Sequence, residues 1–312
     1  MLSARITQRG FTLIELVVVI TLTGIIALIA ARNISRPVAG FIDLGQRAVL
    51  VEAAELTLRR ISREIRLALP NSLRITDGAT QYLQSCTATT GGGQCAVEIL
   101  RTQNGGRYRR LPDGSAGPCG SPGQDRIRFT ASNDCFEIMG GMSGILPVAA
   151  PGADQDDCLT GTVDCIVIFN TGQAGANAWD ADNIAGLQAA SASAITFDIS
   201  GAAGVTRFPF PSPRQRFQIV DTPVSFVCNP GAGTGEISRR AEYAITAAQS
   251  ISPGPPGAVL GDRITACTFT YIQGSHSRNA LLLVDLTFTS TDSQGNANIV
   301  RLMDEIQVPN VP

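Results

Sequence analysis

The residues from Gly10 to Glu15 have types and spacing that could support a proteolytic cleavage and, after it, an ion pair. Gly10 lacks a Cβ atom, so its backbone can approach a protease closely and adopt conformations closed to other residues. Glu15 is the only ionisable residue between Phe11 and Ala31. An unpaired charge at the centre of a bilayer costs at least about 2.5–3.5 kcal/mol, so this carboxylate needs a partner. Cleavage after Gly10 would create one, because the new amine of Phe11 on a neighbouring chain could pair with Glu15.

The element that positions these residues is an apolar run from Phe11 to Ala31. A helix needs roughly 20 residues to cross the hydrocarbon core, and this run is long enough. A secretory signal peptide has a shorter apolar core, of about 7–15 residues, with its cleavage site after that core. Here the basic stretch with Arg5 and Arg9 ends at Gly10, ahead of the run. Cleavage at Gly10 would therefore leave the apolar helix on the mature protein.

The order Gly10, Phe11, Thr12, Leu13 and Glu15 resembles the amino terminus of the type IV pilins and of the pseudopilins of type II secretion. The resemblance implies that a prepilin peptidase cuts between Gly10 and Phe11 and that Phe11 is N-methylated. It also implies that Glu15 pairs in a filament core, and that the protein is a structural subunit without enzymatic activity or cofactors. The alternative interpretation is an ordinary single-span anchor whose Glu15 reaches the membrane interface.

Eight cysteines follow the apolar run, namely Cys86, Cys95, Cys119, Cys135, Cys158, Cys165, Cys228 and Cys267. An even number on one side of a membrane indicates an oxidising compartment and disulfide bonds. Eight cysteines allow 105 pairings, so the connectivity stays open at this point. The shortest loops favour the pairs 86/95 and 158/165, followed by 228/267 and 119/135. Without a Cys-x-x-Cys spacing, and with His276 as the single histidine, a zinc site or a thioredoxin-like site lacks its usual ligands.

The cysteines and the leader predict a carboxyl-terminal domain in the periplasm. Arg5 and Arg9 favour a cytoplasmic amino end under the positive-inside tendency, whereas Arg32 and Arg36 on the other flank oppose it. We therefore expect a single-pass inner-membrane protein that later enters a pilus at the cell surface. The net charge of −2 provides no long-range attraction for nucleic acid, and no nucleic-acid partner is expected.

Helical periodicity continues beyond the span. Leu58, Ile61, Ile65 and Ala68 recur at i, i+3, i+7 and i+10, as one buried face of an amphipathic helix does. Pro70 then ends the helix. The sequence predicts a leader over residues 1–10, a helix over 11–69 whose first part spans the membrane over 11–31, and a β-rich domain over 70–312.

Two features modify this helix. No proline lies between Phe11 and Arg36, where many pilins carry a helix-kinking one, and Gly24 is the only intrinsic weak point in that stretch. Pro37 and Gly40 interrupt the middle of the helix. A bend or a break is expected there.

The rest of the chain alternates short β-like runs with clusters of glycine, proline, serine and asparagine. The predicted strands are 96–100, 126–129, 165–169, 194–199, 217–220, 265–272, 281–289 and 298–307. The last two flank the turn-rich stretch 292–296 and are expected to form a hairpin. The predicted fold is α+β, with a long helix packed on an antiparallel sheet.

Five other candidate sites have plainer interpretations. Asp154, Asp156 and Asp157, with Asp164 nearby, could bind calcium but fit a solvated acidic loop better. The acidic stretch from 180 to 191 lacks the glycine and the glutamate of an EF-hand.

The basic cluster Arg101, Arg107, Arg109 and Arg110 could contact nucleic acid, but a turn at Gly105–Gly106 would make it the solvent face of a hairpin. Trp179 could be a carbohydrate platform or, more simply, a core anchor. His276 is expected in a loop, without the partners of a catalytic triad.

Weaker resemblance extends downstream. The strings at 69–74, 208–213, 216–220 and 307–312 resemble the MshO-type minor pilins of the mannose-sensitive haemagglutinin pilus, and the layout is also similar to J-class minor pseudopilins. The resemblance implies a minor pilin of low copy near the filament tip, whose partners are the prepilin peptidase, the major pilin, other minor pilins and the inner-membrane assembly platform. The alternatives are a J-like pseudopilin of a type II secretion system and a tip adhesin that binds a glycan or a surface.

Overall fold

A computed structural model describes residues 12–112, 114, 117–120, 125–131, 134–144, 146–274, 279–292 and 294–312. The chain divides into two compact units. The first runs to Val49 and includes Thr291–Asn298. The second comprises Leu50–Ser290 and Ile299–Pro312 and contains the sheets and cores described below.

The described helices are α1 (Leu13–Ile65) and the short α2 (Gln155–Thr160), with one 3₁₀ turn at Ala178–Asp180. The strands in chain order are β1 (Arg74–Thr76), β2 (Ser85–Thr89), β3 (Cys95–Tyr108), β4 (Cys135–Met139), β5 (Cys165–Val167), β6 (Ile184–Ala190), β7 (Ala194–Asp198), β8 (Arg216–Asn229), β9 (Glu236–Arg240), β10 (Ala258–Asp262), β11 (Ile264–Ile272), β12 (Ala280–Thr291) and β13 (Ala297–Val308). This mixture of a long helix and antiparallel sheets confirms the predicted α+β class.

The long helix α1 continues through Pro37 and Gly40, so of the expected bend or break the break is absent. It ends at Ile65 and not at residue 69, because the last turn tightens. The N–H groups of Leu67 and Ala68 donate to the carbonyls three residues earlier, at 2.9 and 3.1 Å. The N–H of Leu69 then donates to the carbonyl of Leu100 in β3 at 2.7 Å. The chain therefore joins the sheet before Pro70 is reached.

The predicted apolar stripe of this helix is confirmed. Leu58, Ile61, Ile65 and Ala68 are buried, and Ala54 extends the stripe by one turn. They belong to one cluster with side chains from two different sheets, such as Val97 and Phe226 on one and Val284 and Phe288 on the other. The helix therefore supports both sheets through a single core.

Six strands of the larger sheet close into a barrel. The nine-stranded sheet has the order β1-β3-β4-β7-β6-β5-β8-β9-β10, and β3 also pairs with β8. The ring β3-β4-β7-β6-β5-β8 is thus complete, with antiparallel pairing at every step. Aromatic side chains are part of its core, since Phe136 lies 5.2 Å from Phe217 and Phe197 lies 5.3 Å from Phe208 between ring centroids. Closure leaves those six strands without a free edge.

Two glycines in β3 allow this closure. Gly105 and Gly106 pair with Gln218 and Phe217 of β8 inside a continuous strand, so the expected turn at these residues is wrong. A Cβ on Gly105 would lie 2.9 Å from the carbonyl oxygen of Phe217, and a Cβ on Gly106 would lie 2.9 Å from the Phe217 ring. The glycines therefore permit close strand approach, a role that glycine in a strand can have instead of marking a turn.

The second sheet has the order β13-β12-β11-β2. As predicted, β12 and β13 are hydrogen-bonded neighbours joined by a short link, in which the N–H of Asp292 donates to the carbonyl of Asn296 at 2.9 Å. The sequence indicated one antiparallel sheet, whereas the structure has two. The strand predicted over 126–129 is also wrong, because only Arg126 forms an isolated bridge, with Arg109. The apolar residue Ile127 fills the barrel core without a ladder around it.

The structure pairs the cysteines as 86/95, 119/135, 158/165 and 228/267, which are the four pairs that the shortest loops favoured. Two of these bonds connect the two sheets: Cys86 of β2 bonds Cys95 of β3, and Cys228 of β8 bonds Cys267 of β11. Cys95 and Cys228 are direct cross-strand neighbours. Two adjacent covalent links therefore fasten the sheets at one place, and long loops closed in this way stabilise by restricting the unfolded chain.

A buried ion pair lies where the helix is followed by the first strand. Arg74 and Glu98 are 2% and 1% exposed and are hydrogen-bonded to each other. The Arg74 guanidinium also donates to the carbonyls of Ala247 and Thr246 and lies 3.6 Å above the Trp179 ring centroid. Burial raises the pKa of Glu98, and the charge of Arg74 opposes that shift. Removal of either partner would leave an uncompensated buried charge.

A second buried carboxylate, that of Asp164, makes the stability of the fold depend on pH. Burial raises the pKa of Asp164 to about 6, against a hydrogen bond that Oδ2 accepts from the Val148 N–H at 2.7 Å. Asp221 raises it further and Arg101 lowers it. Because the folded pKa lies above the ordinary value of 3.8, the folded state binds the proton more tightly. Stability is therefore lost as the pH rises from 4 to 6.

We expect Asp164→Asn, which removes the charge and keeps an acceptor oxygen, to raise the free energy of unfolding at pH 7.5. The gain is about 1–2 kcal/mol after allowance for solvent screening. Thermal unfolding of the detergent-solubilised protein at pH 7.5 and pH 4 measures it, with the exposed Asp262→Asn as control. The advantage should disappear at pH 4. An equal advantage at both pH values would show that charge burial at Asp164 is not the cause.

Candidate functional site: the amino-terminal apolar helix

The carboxylate singled out by the sequence lies in the first turn of α1. The helix begins at Leu13, and the N–H of Glu15 donates to the Thr12 hydroxyl at 3.3 Å. Thr12 therefore caps the helix, and the Thr-x-x-Glu spacing is that of a capping box. The helix dipole stabilises a negative charge at this end. The structure thus provides a local reason for a carboxylate at this position, which the sequence analysis did not identify.

The remainder of the segment is apolar on every side. The span that the structure describes is Leu13–Ala31, with 19 residues, a mean hydropathy of 2.7 and none of it buried. Individual side chains are widely exposed, from 45% for Val17 to 82% for Leu13. A helix of 19 residues is about 28 Å long, which matches the hydrocarbon core of a bilayer of about 30 Å.

The two threonines of the span have internal hydrogen-bond partners. The Thr21 hydroxyl donates to the carbonyls of Val17 and Val18 at 3.0 and 2.9 Å, and the Thr23 hydroxyl donates to those of Val19 and Ile20 at 2.7 and 3.1 Å. Polar groups that bond within their own helix need no water in an apolar environment. Glu15 is the one ionisable side chain of the described span.

The expected cleavage and methylation site, Gly10 and Phe11, lies outside the described residues, as does the leader before it. Cleavage at Gly10, methylation of Phe11 and the pairing of Glu15 with a Phe11 amine all stay predictions. His276 also lies outside the described residues.

The acidic candidates for calcium are engaged with backbone N–H groups. Asp154 is the N-cap of α2 and accepts from the N–H of Asp157 at 3.1 Å, while the Asp157 carboxylate accepts from the N–H of Asp154 at 3.2 Å. Asp156 accepts from the N–H of Ala202 at 3.0 Å. In the part of the chain that the structure describes, no three acidic, histidine or cysteine side chains are grouped to hold a metal ion. These carboxylates therefore cap helix α2 and hydrogen-bond to the backbone of a neighbouring loop.

Trp179 is a core anchor, and the carbohydrate-platform interpretation is wrong. The side chain is 3% exposed, its Nε1–H donates to the carbonyl of Ser72 at 2.8 Å, and its ring faces the Arg74 guanidinium. The arginine candidates are divided as well, since Arg101 pairs with Asp221 and Arg109 pairs with Glu137. Two of the four arginines of the predicted cluster are therefore paired with carboxylates.

Residues 5–31 match the family described as the prokaryotic N-terminal methylation motif. No curated protein and no solved structure is significantly similar to the chain. The matched residues include Gly10, Phe11 and Glu15 and all of the exposed apolar span Leu13–Ala31. The chain thus carries a prepilin-type methylation motif ahead of a disulfide-bonded α+β domain, a combination that supports a type IV pilin-like or pseudopilin-like protein.

Proposed function

We propose that this protein is a minor pilin, processed by a prepilin peptidase and incorporated at low copy into a type IV pilus of the mannose-sensitive haemagglutinin kind. The observation that carries the proposal is the exposed apolar helix Leu13–Ala31 with one carboxylate in its first turn, inside the matched motif. Before assembly a bilayer covers this helix; in a filament, neighbouring subunits cover it through a repeating contact that does not close on itself.

The mature amino end and Glu15 form the proposed pairing site. Cleavage after Gly10 would create a free amine on Phe11, four residues before Glu15 in the sequence. In a filament the amine of an adjacent subunit can pair with the Glu15 carboxylate, and both charges are then neutralised in a dry core. The disulfides support a periplasmic location for the second unit, because such bonds persist in oxidising compartments.

The first prediction concerns processing. Intact-mass analysis of the membrane form should show the loss of residues 1–10 and the addition of one methyl group. The matched control is Gly10→Gln, whose bulkier side chain should block the peptidase and leave the full mass. An unprocessed mass for the wild-type chain, in a host with an active prepilin peptidase, would refute this assignment.

The second prediction concerns assembly. The Glu15→Val variant should still be inserted and cleaved, because an apolar side chain is compatible with a membrane span. It should enter pili poorly, because the Phe11 amine has lost its carboxylate partner. We expect at least about a tenfold decrease, equivalent to about 1.4 kcal/mol, in an immunoblot of sheared pili. Glu55→Val, at an exposed position of the same helix, is the control. Normal incorporation of the Glu15 variant would contradict the pairing mechanism.

The third prediction concerns placement near the filament tip. The second unit carries two sheets, and six strands of the larger one close into a barrel. Such bulk repeated at every position of a tight shaft would collide with its neighbours. Immunogold labels should therefore be sparse and concentrated at pilus ends, with the other minor pilins recovered in the same pull-down. Dense labelling along the shaft would exclude this placement. Recovery with type II secretion components alone would instead identify a J-like pseudopilin.

A further inference from the structure

The end of α1 and the tightened turn that follows it have an outward stripe, which we define as Leu56, Arg60, Arg63 and Leu67. The spacing of the first three, i, i+4 and i+7, places them on one face of α1. Leu67 lies two residues after the helix ends at Ile65. Leu56 and Leu67 are 45% and 48% exposed, and both arginines are exposed. The opposite face is the apolar stripe buried in the core. The outward stripe is thus a surface that the fold leaves uncovered.

The two arginines of the outward stripe have no acidic partner among the described residues. The nearby carboxylates are engaged elsewhere: Glu55 pairs with Arg59 at 2.9 Å, and Glu64 pairs with Arg239 at 2.8 Å. Like charges at i, i+3 on a helix repel each other. The helix dipole accounts for a cation in the last turn, such as Arg63, but its effect fades within that turn and does not reach Arg60.

We propose that the outward stripe docks an acidic surface on an adjacent pilus subunit. This inference rests on the proposed function and adds to it the chemistry of a lateral contact. Arginine beside exposed apolar side chains is the composition of an interface centre more than of a solvated face. The guanidinium group suits this role, since its fork of donors binds a carboxylate through two parallel hydrogen bonds.

Anionic lipid is the less favoured occupant. A helix that lies on a membrane presents a broad apolar face with a basic border, whereas the apolar face of this segment is buried and only two leucines point outward. Glu52 and Glu55 are exposed close to the amino-terminal end of the stripe, and anionic headgroups would repel them. A protein surface, by contrast, can place acidic groups opposite the two arginines and basic groups opposite the two glutamates.

The test reverses the charge of the stripe in the full chain. Arg60→Glu with Arg63→Glu should reduce incorporation into sheared pili at least about tenfold, while the processed membrane form stays at its wild-type level. Arg60→Lys with Arg63→Lys should keep most of the incorporation. The matched control, Arg207→Glu with Arg214→Glu, makes the same change of net charge at exposed positions elsewhere and should incorporate normally.

A photoreactive residue at Leu67 identifies the occupant. A covalent adduct with another pilin of the same filament, lost in the charge-reversed variant, supports the inference. Adducts with lipid alone, or normal incorporation of the charge-reversed protein, would overturn it and leave the minor-pilin assignment intact. A wild-type protein that is absent from pili altogether would instead refute the proposed function itself.

Discussion

The structure depends on one constraint: an apolar helix surface that the chain itself does not bury. Every large side chain of the span is exposed in the isolated protein, and full burial of each one is worth about 1.5–3 kcal/mol. A span of 19 residues made mostly of such side chains requires either a bilayer or other proteins around it. The single carboxylate in the first turn makes the two environments unequal, because lipid offers it no partner and a neighbouring amino terminus does.

The second unit, in contrast, buries its apolar side chains in its own cores and is held together by its own disulfide bonds. One core joins the second half of α1 to both sheets, and the disulfides 86/95 and 228/267 fasten those sheets side by side. The barrel removes the free edges of six strands, and the Arg74–Glu98 pair fixes the start of the sheet beneath Trp179. The fold of the second unit therefore rests on contacts among its own residues.

Local pattern was enough to predict the helix, its buried stripe, the β12–β13 hairpin and the four cysteine pairs, because each depends on residues close in sequence or on loop length. The barrel depends on closure between β3 and β8, which are far apart in the chain, and the signal for it was misleading. Gly105 and Gly106 looked like a turn and are instead the place where two strands meet most closely. Polar strands such as β2, and the bonding of Arg74 to Glu98 across 24 residues, likewise depend on neighbours that periodicity cannot identify. Of the candidate site, the Glu15 position followed from residue order, and the Thr-x-x-Glu spacing also stands in the sequence, but only the hydrogen bond from the Glu15 N–H shows that Thr12 caps the helix.

The central claim is that the exposed span is covered by other subunits in an assembled filament. A photoreactive amino acid at Ile20, in the middle of the span, tests this most directly. After irradiation of purified sheared pili, the account predicts a covalent adduct between this chain and another pilin, at a yield well above that from the membrane fraction before assembly. A chain that forms adducts only with lipid, in cells that assemble pili normally, would contradict it.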